Sequence, residues 1–214
     1  MSTPTANFPN DDLLLIIDVQ RDFCPGGSFA VAEGDAVVAP INRLAARFQH
    51  IALTQDWHPA NHASFASNHP GHQPYQTIQL PNGPQTLWPD HCVQGTAGAD
   101  FHPALEVTRA ELILRKGFRP AIDSYSAFLE NDKRTATGLA GYLRERGFRR
   151  IFLAGLAYDY CVRFSAVDAM HLGFEPYVIQ DACRPIGTIA ETEQEFARVG
   201  VKQITVAELL QVSR

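Results

Sequence analysis

The stretch Gly155-Leu-Ala-Tyr-Asp-Tyr-Cys161-Val joins a predicted strand to a predicted helix. The apolar run Ile151-Phe-Leu-Ala154 comes before it and is typical of a buried parallel strand. A helical pattern follows from residue 162 to 172 and ends at Gly173. Cys161 therefore lies near the first turn of a helix, where unpaired N–H groups and the helix dipole can lower a thiol pKa and activate the sulfur. A small buried cysteine that only packs fits this position equally well.

The composition is that of a soluble globular chain, with 45% hydrophobic and 19% charged residues. Its 214 residues fit one domain spanning residues 1–214. A net charge of −5 without a basic patch disfavours a nucleic-acid partner, and no apolar run is long enough to span a membrane. Residues 1–7 contain no signal-peptide core. We therefore expect a cytoplasmic protein whose four cysteines stay reduced.

Strand patterns alternate with helix patterns along most of the chain, which indicates a parallel sheet with right-handed crossovers. The fold predicted is α/β with three layers, a mainly parallel twisted sheet flanked by helices. The predicted strands cover residues 13–17, 50–54, 111–115, 151–154, 176–180 and 201–205, and the predicted helices cover 35–49, 134–146, 162–172 and 188–199.

Residues 55 to about 108 interrupt this alternation. The segment is rich in Pro, Gly, Asn and His and has no sustained period of 3.6 or 2. Such a long loop in a compact domain is usually functional or disordered, and its aromatic residues argue against disorder. Six of the eight histidines lie in it: His58, His62, His69, His72, His91 and His102. We interpret it as an ordered insertion that builds a site.

Three reactive side chains stand directly after apolar strands. Asp18, Lys116 and Cys161 would emerge together at the carboxyl edge of a parallel sheet, where such folds bind ligands. Each alone is compatible with an ordinary solvated or buried residue. Together they supply a base, a cation and a thiol, as covalent amide hydrolysis requires. Asp18 would take the thiol proton and Lys116 would balance the charge, with the backbone N–H groups of Ala157 and Cys161 as the oxyanion hole.

A second group of residues suggests a metal site. Asp56 and His58 are two apart after a predicted strand, so both would point the same way, and His91 can supply a third ligand. One carboxylate and two imidazoles suit Zn²⁺ or Fe²⁺, with Mn²⁺ as a third candidate. Polar loop histidines that make ordinary hydrogen bonds are the alternative.

The sequence resembles the nicotinamidase (pyrazinamidase) family, within the isochorismatase-like cysteine hydrolase superfamily. The resemblance runs nearly from end to end. Its motifs are Asp18-Val-Gln-x-Asp22-Phe23 with Pro25-Gly-Gly-Ser28, Thr54-Gln-Asp56-Trp-His58-Pro, Ser64-Phe-Ala, Leu87-Trp88-Pro-Asp-His91-Cys-Val-Gln-Gly95, Arg115-Lys116-Gly, Asp123-Ser-Tyr-Ser-Ala-Phe128 and Gly155-Leu-Ala-x-Asp-Tyr-Cys161-Val.

The resemblance implies a role for each site residue. It implies Asp18 as general base, Lys116 as charge partner and Cys161 as nucleophile. The implied metal ligands are Asp56, His58 and His91, and the residues implied around the pyridine ring are Phe23, Trp88 and Tyr125. A cis peptide bond is implied at Leu156-Ala157. Tyr158 departs from the threonine more often found there and could narrow the pocket or face away. Either His62 or His72 could join the metal shell.

The activity that the resemblance implies is hydrolysis of nicotinamide to nicotinate and ammonia through a Cys161 thioester, in NAD salvage and pyridine nucleotide biosynthesis. Pyrazinamide is expected as a second substrate. A metal-free relative acting on N-carbamoyl or ureido substrates is disfavoured by Asp56, His58 and His91, and an isochorismatase proper by Cys161. A redox-sensing or metal-storing protein would need a resolving cysteine or more ligands. The native metal and a homo-oligomeric state remain open.

Overall fold

The computed structural model describes residues 8–212, so residues 1–7, in which the sequence shows no signal-peptide core, lie outside the described residues. The strands are β1 (Asp12–Ile17), β2 (His50–Asp56), β3 (Thr77–Leu80), β4 (Gly83–Thr86), β5 (Leu112–Lys116), β6 (Arg150–Leu156), β7 (Glu175–Arg184) and β8 (Lys202–Ile204). The α-helices are α1 (Val38–Ala45), α2 (Leu139–Glu145), α3 (Arg163–His171), α4 (Ala190–Val199) and α5 (Val206–Val212).

Six strands form one parallel sheet in the order β5-β2-β1-β6-β7-β8. Side chains along β1 alternate between two apolar cores: Leu14 and Ile16 face one, and Leu13, Leu15 and Ile17 face the other. Helices α1 and α5 contribute to the first core, while α2, α3 and α4 contribute to the second. The predicted three-layer α/β fold is therefore confirmed.

Two helix predictions need correction. The helix predicted over residues 35–49 begins as a 3₁₀ turn at Gly34–Val37 and continues as α1. The helix predicted from residue 134 begins only at Leu139. Backbone pairing explains the late start: the Glu130 N–H donates to Thr135 O at 2.9 Å and the Thr137 N–H donates to Phe128 O at 3.1 Å, so an antiparallel bridge holds this segment extended before the helix begins.

The insertion is largely irregular, as predicted, but it contains the antiparallel hairpin β3–β4, which the sequence analysis missed. Backbone hydrogen bonds tie its distant parts together. Trp88 N–H donates to Ser64 O at 2.8 Å, and His58 N–H donates to Cys92 O at 3.0 Å. The insertion therefore forms an ordered cover over the sheet edge. Among the described residues, no helix has both the length and the apolar character needed to cross a membrane.

Candidate active site

The three reactive side chains predicted at strand ends meet at one point. Asp18 directly follows β1, Lys116 is the last residue of β5, and Cys161 lies five residues beyond the end of β6. Lys116 Nζ lies 2.9 Å from Asp18 Oδ2 and 3.5 Å from Cys161 Sγ. All three are buried. At the carboxyl edge of the sheet, the Lys116 ammonium group is thus in direct contact with both a carboxylate and a thiol.

The Lys116 ammonium group is held by two further oxygens. Nζ donates to Asp56 Oδ1 and to the Ser124 carbonyl oxygen, both at 2.8 Å. Burial alone would lower the pKa of this lysine, but the negative charges of Asp18, Asp56 and Cys161 outweigh it and hold the pKa well above its usual range. Lys116 is therefore a permanent positive charge between the thiol and two carboxylates.

The Asp18 carboxylate is poised to accept a proton. Its Oδ1 accepts a hydrogen bond from Thr54 Oγ1 at 2.6 Å. Its Oδ2 lies close to Lys116 Nζ but accepts no hydrogen bond of standard geometry from the described residues. Burial raises the pKa of this carboxyl group above its ordinary value, against the lowering effect of Lys116. A raised carboxyl pKa makes Asp18 a stronger base than an exposed aspartate.

Cys161 lies in a π-helical turn, Tyr158–Val162, that leads into α3. Burial raises the pKa of its thiol well above the usual range, Lys116 opposes this, and the charges of Asp18 and Asp56 add to it. The resting sulfur is thus a neutral thiol. In the preceding turn the Leu156–Ala157 peptide bond is cis, as the resemblance implies.

The predicted metal ligands Asp56, His58 and His91 are brought together, with one ligand atom from each within 4.8 Å of the others. His58 Nε2 and His91 Nε2 lie 3.2 and 3.5 Å from Asp56 Oδ2. The opposite ring nitrogens bond to backbone carbonyls, His58 Nδ1 to Gly117 O at 2.8 Å and His91 Nδ1 to Pro89 O at 2.7 Å. Carbonyl partners place the ring protons on Nδ1 and leave the Nε2 lone pairs converging, as metal-ligating histidines require. The residues fit a divalent metal.

Of the two additional histidines considered, only His62 lies at this cluster. Its ring centroid is 4.2 Å from that of His58, and together with Asp123 the two histidines form a second group of converging ligand atoms. His62 Nδ1 contacts Ser64 Oγ at 2.7 Å, and burial and the nearby His58 lower the pKa of its ring to about 4. His72 is exposed and contacts Gln76 instead.

A narrow aromatic cavity, the inner cavity, leads to these groups. The residues lining it that the sequence analysis singled out are Phe23, Asp56, Trp88, His91, Tyr125, Ala157 and Cys161. Trp88 Nε1 donates to the Tyr125 hydroxyl at 3.1 Å, which orients both rings. Four lining residues, Phe29, Asp123, Tyr160 and Ile186, were not predicted to line a pocket. Asp123 and Tyr160 lie in quoted motifs and Phe29 directly follows one, but Ile186 has no sequence signal.

Tyr158 faces away from the inner cavity. Its hydroxyl donates to Gln203 Oε1 at 2.8 Å, and its ring lies 5.8 Å from that of Phe196 in α4. It fills the core between the sheet and this helix and does not narrow the pocket.

A thiol, a carboxylate and an ammonium group at the carboxyl edge of a parallel sheet define an α/β cysteine hydrolase. The chain belongs to the isochorismatase family, whose domain model matches residues 12–208. It is 52% identical to the nicotinamidase of Acinetobacter baylyi over 94% of this chain and 95% of that protein. It is 44% identical to the nicotinamidase of Escherichia coli over 91% of this chain and 95% of that protein.

Solved structures agree with this assignment. The nicotinamidase/pyrazinamidase of Acinetobacter baumanii has a TM-score of 0.93 and 50% identity over 94% of this chain and 99% of that one. Yeast nicotinamidase bound to the inhibitor nicotinaldehyde has a TM-score of 0.85 and 31% identity over 91% and 99% of the two chains. The zinc complex of Pyrococcus horikoshii pyrazinamidase has a TM-score of 0.74 and 34% identity over the same shares.

Proposed function

We propose that this protein hydrolyses nicotinamide to nicotinate and ammonia, and also hydrolyses pyrazinamide. The observation that carries the proposal is the Cys161 thiol beside Lys116 and Asp18, opening into an aromatic cavity that Asp56 and His91 also line. The relatives named nicotinamidase and pyrazinamidase support this substrate class, as does the nicotinaldehyde complex of the yeast protein. The reaction would return nicotinamide to NAD synthesis.

The cavity suits a flat heteroaromatic amide. Phe23, Trp88 and Tyr125 provide ring faces and edges for a pyridine ring. Asp56, His58 and His91 would hold a divalent metal, with Zn²⁺ or Fe²⁺ before Mn²⁺ on the chemistry of the donor set. A metal bound there would supply a coordination position for a ring nitrogen. The carboxamide would then lie on the Cys161 side of the cavity.

The chemical steps follow from the positions of the chain's own groups. As the Cys161 sulfur forms a bond to the carboxamide carbon, Asp18 takes the thiol proton and the carbonyl electron pair moves onto oxygen. The backbone N–H groups of Ala157 and Cys161 would stabilise that oxyanion. The C–N bond then breaks, and Asp18 returns the proton to the departing ammonia. Asp18 next takes a proton from a water molecule as the water oxygen attacks the thioester carbon. The C–S bond then breaks, Asp18 returns the proton to the Cys161 sulfur, and the acid leaves as nicotinate after giving its own proton to solvent.

Lys116 would lower the energetic cost of moving negative charge within a buried site. Its ammonium group is in contact with both the proton acceptor and the nucleophile. When the thiol proton moves to Asp18, the negative charge moves from the carboxylate to the sulfur. Lys116 Nζ contacts both groups, so the charge stays next to the ammonium group throughout. Proton transfer inside the pair therefore avoids creating an unpaired buried charge.

The other enzyme classes fit the site less well. A metal-free hydrolase of N-carbamoyl or ureido substrates would have no use for the converging Asp56, His58 and His91. An isochorismatase proper would not require a thiol in contact with Lys116. All four cysteines lie within residues 8–212 and none forms a disulfide, which gives no support to a redox sensor.

Ammonia release from nicotinamide, pyrazinamide, benzamide and an N-carbamoyl amino acid tests the proposal, with elemental analysis of the same purified sample. We expect rapid release from the two heteroaromatic amides and about one zinc or iron atom per chain. Turnover of the N-carbamoyl compound alone would contradict the proposal.

Light scattering on that sample measures the number of subunits. Cell fractionation tests the proposed cytoplasmic location, where free thiols persist.

A further inference from the structure

The inner cavity meets a second, more open depression on the protein surface. Three residues line both spaces: Trp88, Tyr160 and Ile186. We call these three residues the neck. The outer depression is otherwise lined by more polar groups, among them Arg163 and Glu191. A ligand that enters the inner cavity from the outer depression passes these three side chains, so their positions affect what reaches Cys161 by this route.

Two neck residues, Trp88 and Tyr160, are held in place by contacts with neighbouring aromatic rings. The rings of Trp88 and Tyr160 are perpendicular, with centroids 5.0 Å apart, and Trp88 is also hydrogen-bonded to Tyr125. Ile186 has no such support from a regular element. It lies in the short segment between Arg184, the end of β7, and Ala190, the start of α4. Its position therefore depends on what fixes the backbone of that segment.

The Asp159 carboxylate provides that attachment. Oδ1 accepts the Ile186 N–H at 2.9 Å, and Oδ2 accepts the Gly187 N–H at 2.8 Å. Asp159 is only 6% exposed and, within residues 8–212, forms no ion pair with a basic side chain. A buried carboxylate without a cation depends on such backbone donors. Asp159 also lies two residues before Cys161 in the same π-turn, so one side chain ties the neck to the turn of the nucleophile.

We propose that Asp159 is a positioning residue that holds Ile186 in the neck, and that the neck restricts the enzyme to single-ring amides. This inference rests on the proposed amidase function and adds its size limit. A second fused ring, as in quinoline-3-carboxamide, keeps the ring nitrogen and the carboxamide of nicotinamide but needs a wider passage. The neck therefore selects by width, separately from the groups that recognise nitrogen and amide.

Two variants open the neck from different directions. Asp159→Asn keeps the size of the side chain but offers one acceptor oxygen, and its NH₂ group opposes the second backbone N–H. Ile186→Ala removes the neck side chain and leaves the Asp159 hydrogen bonds in place. Asp132→Asn is the control for the chemical change itself, because Asp132 lines neither space and accepts its two backbone N–H groups on one oxygen, Oδ1, which asparagine can retain.

The readout is kcat/KM for quinoline-3-carboxamide divided by kcat/KM for nicotinamide. Because small volume changes in apolar pockets alter selectivity by about tenfold or more, we expect both neck variants to raise this ratio at least about tenfold. Asp132→Asn should leave it unchanged. For nicotinamide, KM should change more than kcat, since the reacting groups are untouched. Hydrogen exchange at Ile186 and Gly187 should accelerate in Asp159→Asn but not in Asp132→Asn.

Each outcome bears on a different claim. An unchanged ratio in Ile186→Ala would overturn the neck as a size filter. Equal losses on both amides in Asp159→Asn, with an increased ratio in Ile186→Ala, would make Asp159 merely structural and overturn its positioning role. If Asp159→Asn does not fold, Gly187→Pro replaces it as the test. Gly187 is exposed, and proline lacks the backbone N–H that donates to Asp159 Oδ2, so this variant should also raise the quinoline-3-carboxamide to nicotinamide ratio. Wild-type protein that releases no ammonia from nicotinamide would overturn the proposed function itself.

Discussion

Replacing Lys116 by methionine tests whether one ammonium group holds the candidate site together. Methionine keeps most of the apolar stem and removes the charge. The carboxylates of Asp18 and Asp56, now 2.9 and 2.8 Å from Nζ, would then share a buried space without their common cation. We expect the variant to fold with reduced stability and to lose nearly all turnover, because the thiol and its base lose their charge partner.

The size of the stability loss follows from the contacts that remain. Breaking a buried ion pair by removing one partner typically costs about 3–5 kcal/mol. Asp56 keeps His58 and His91 as neighbours, so the uncompensated charge is mainly that of Asp18. We therefore expect about 3 kcal/mol at pH 8, equivalent to a fall in Tm of roughly 6–12 °C for a chain of this size.

The loss should depend on pH, with a sign set by Asp18. Its pKa in the folded protein is raised by burial, and Lys116 is the largest influence that lowers it, so the pKa rises further in Lys116→Met. A carboxyl group whose pKa is raised on folding favours the folded state below its unfolded pKa and loses that contribution as pH rises through the folded value. The penalty of Lys116→Met should therefore be smaller at pH 5 than at pH 8.

Denaturant unfolding at both pH values measures these effects. The double variant Asp18→Asn/Lys116→Met removes the orphaned charge and should be more stable at pH 8 than Lys116→Met alone. The control is Lys202→Met, because Lys202 is exposed and its loss should cost less than about 1 kcal/mol. A Lys116→Met loss no larger than that of the control, or no recovery in the double variant, would refute the view that Lys116 compensates buried charge.

Three further changes separate the nucleophile, the base and the metal cluster. Cys161→Ala should fold and lower ammonia release by about 10⁴-fold or more, and activity within tenfold of wild type would exclude a thioester. Asp18→Asn should lower kcat at least about 100-fold. Iodoacetamide should nevertheless alkylate Cys161 faster at pH 8, because the Asp18 charge is one of the influences that raise the thiol pKa and its removal increases the thiolate fraction. Slower alkylation would contradict this electrostatic account. His58→Ala should lose its metal on elemental analysis and lower kcat/KM for nicotinamide roughly 10⁴-fold with little change for benzamide, whereas equal losses would make the metal structural.

The sheet was predictable because its central strands are continuously apolar. Residues 13–17 are buried on both faces, so the run of leucine and isoleucine needs no alternation to be recognised as a parallel strand. Once the strands are placed, the carboxyl edge follows from topology, and the side chains directly after each strand must lie together. Asp18 and Lys116 could be placed in this way from residue type and position alone, and Cys161 by the strand-to-helix turn that follows β6.

Helix boundaries and the insertion were less predictable, because tertiary contacts determine them. Backbone pairing of residues 135–137 with residues 128–130 delays the start of α2, and no periodicity reveals it. The hairpin β3–β4 contains Pro84 and several polar residues, so neither apolar alternation nor β-propensity marked it. Its strands are short, and side-chain hydrogen bonds from Asn82 to Ala121 O and from Gln85 to Asp123 attach it to a distant loop in place of apolar patterning.

The pKa of Cys161 shows that local sequence position does not by itself decide the charge state of a side chain. The start of a helix can favour an anion, and from position alone a lowered thiol pKa and an inert buried cysteine were equally compatible with the sequence. Burial raises the thiol pKa, Lys116 opposes this, and the charges of Asp18 and Asp56 add to the rise. None of these influences is local in sequence, since Asp18 lies 143 residues from Cys161 in the chain but reaches the same ammonium group. The nucleophile is therefore a property of the assembled sheet edge: Asp18 and the thiol share the Lys116 ammonium group, so Asp18 is placed to receive the thiol proton in the attacking step rather than to tune a preformed thiolate.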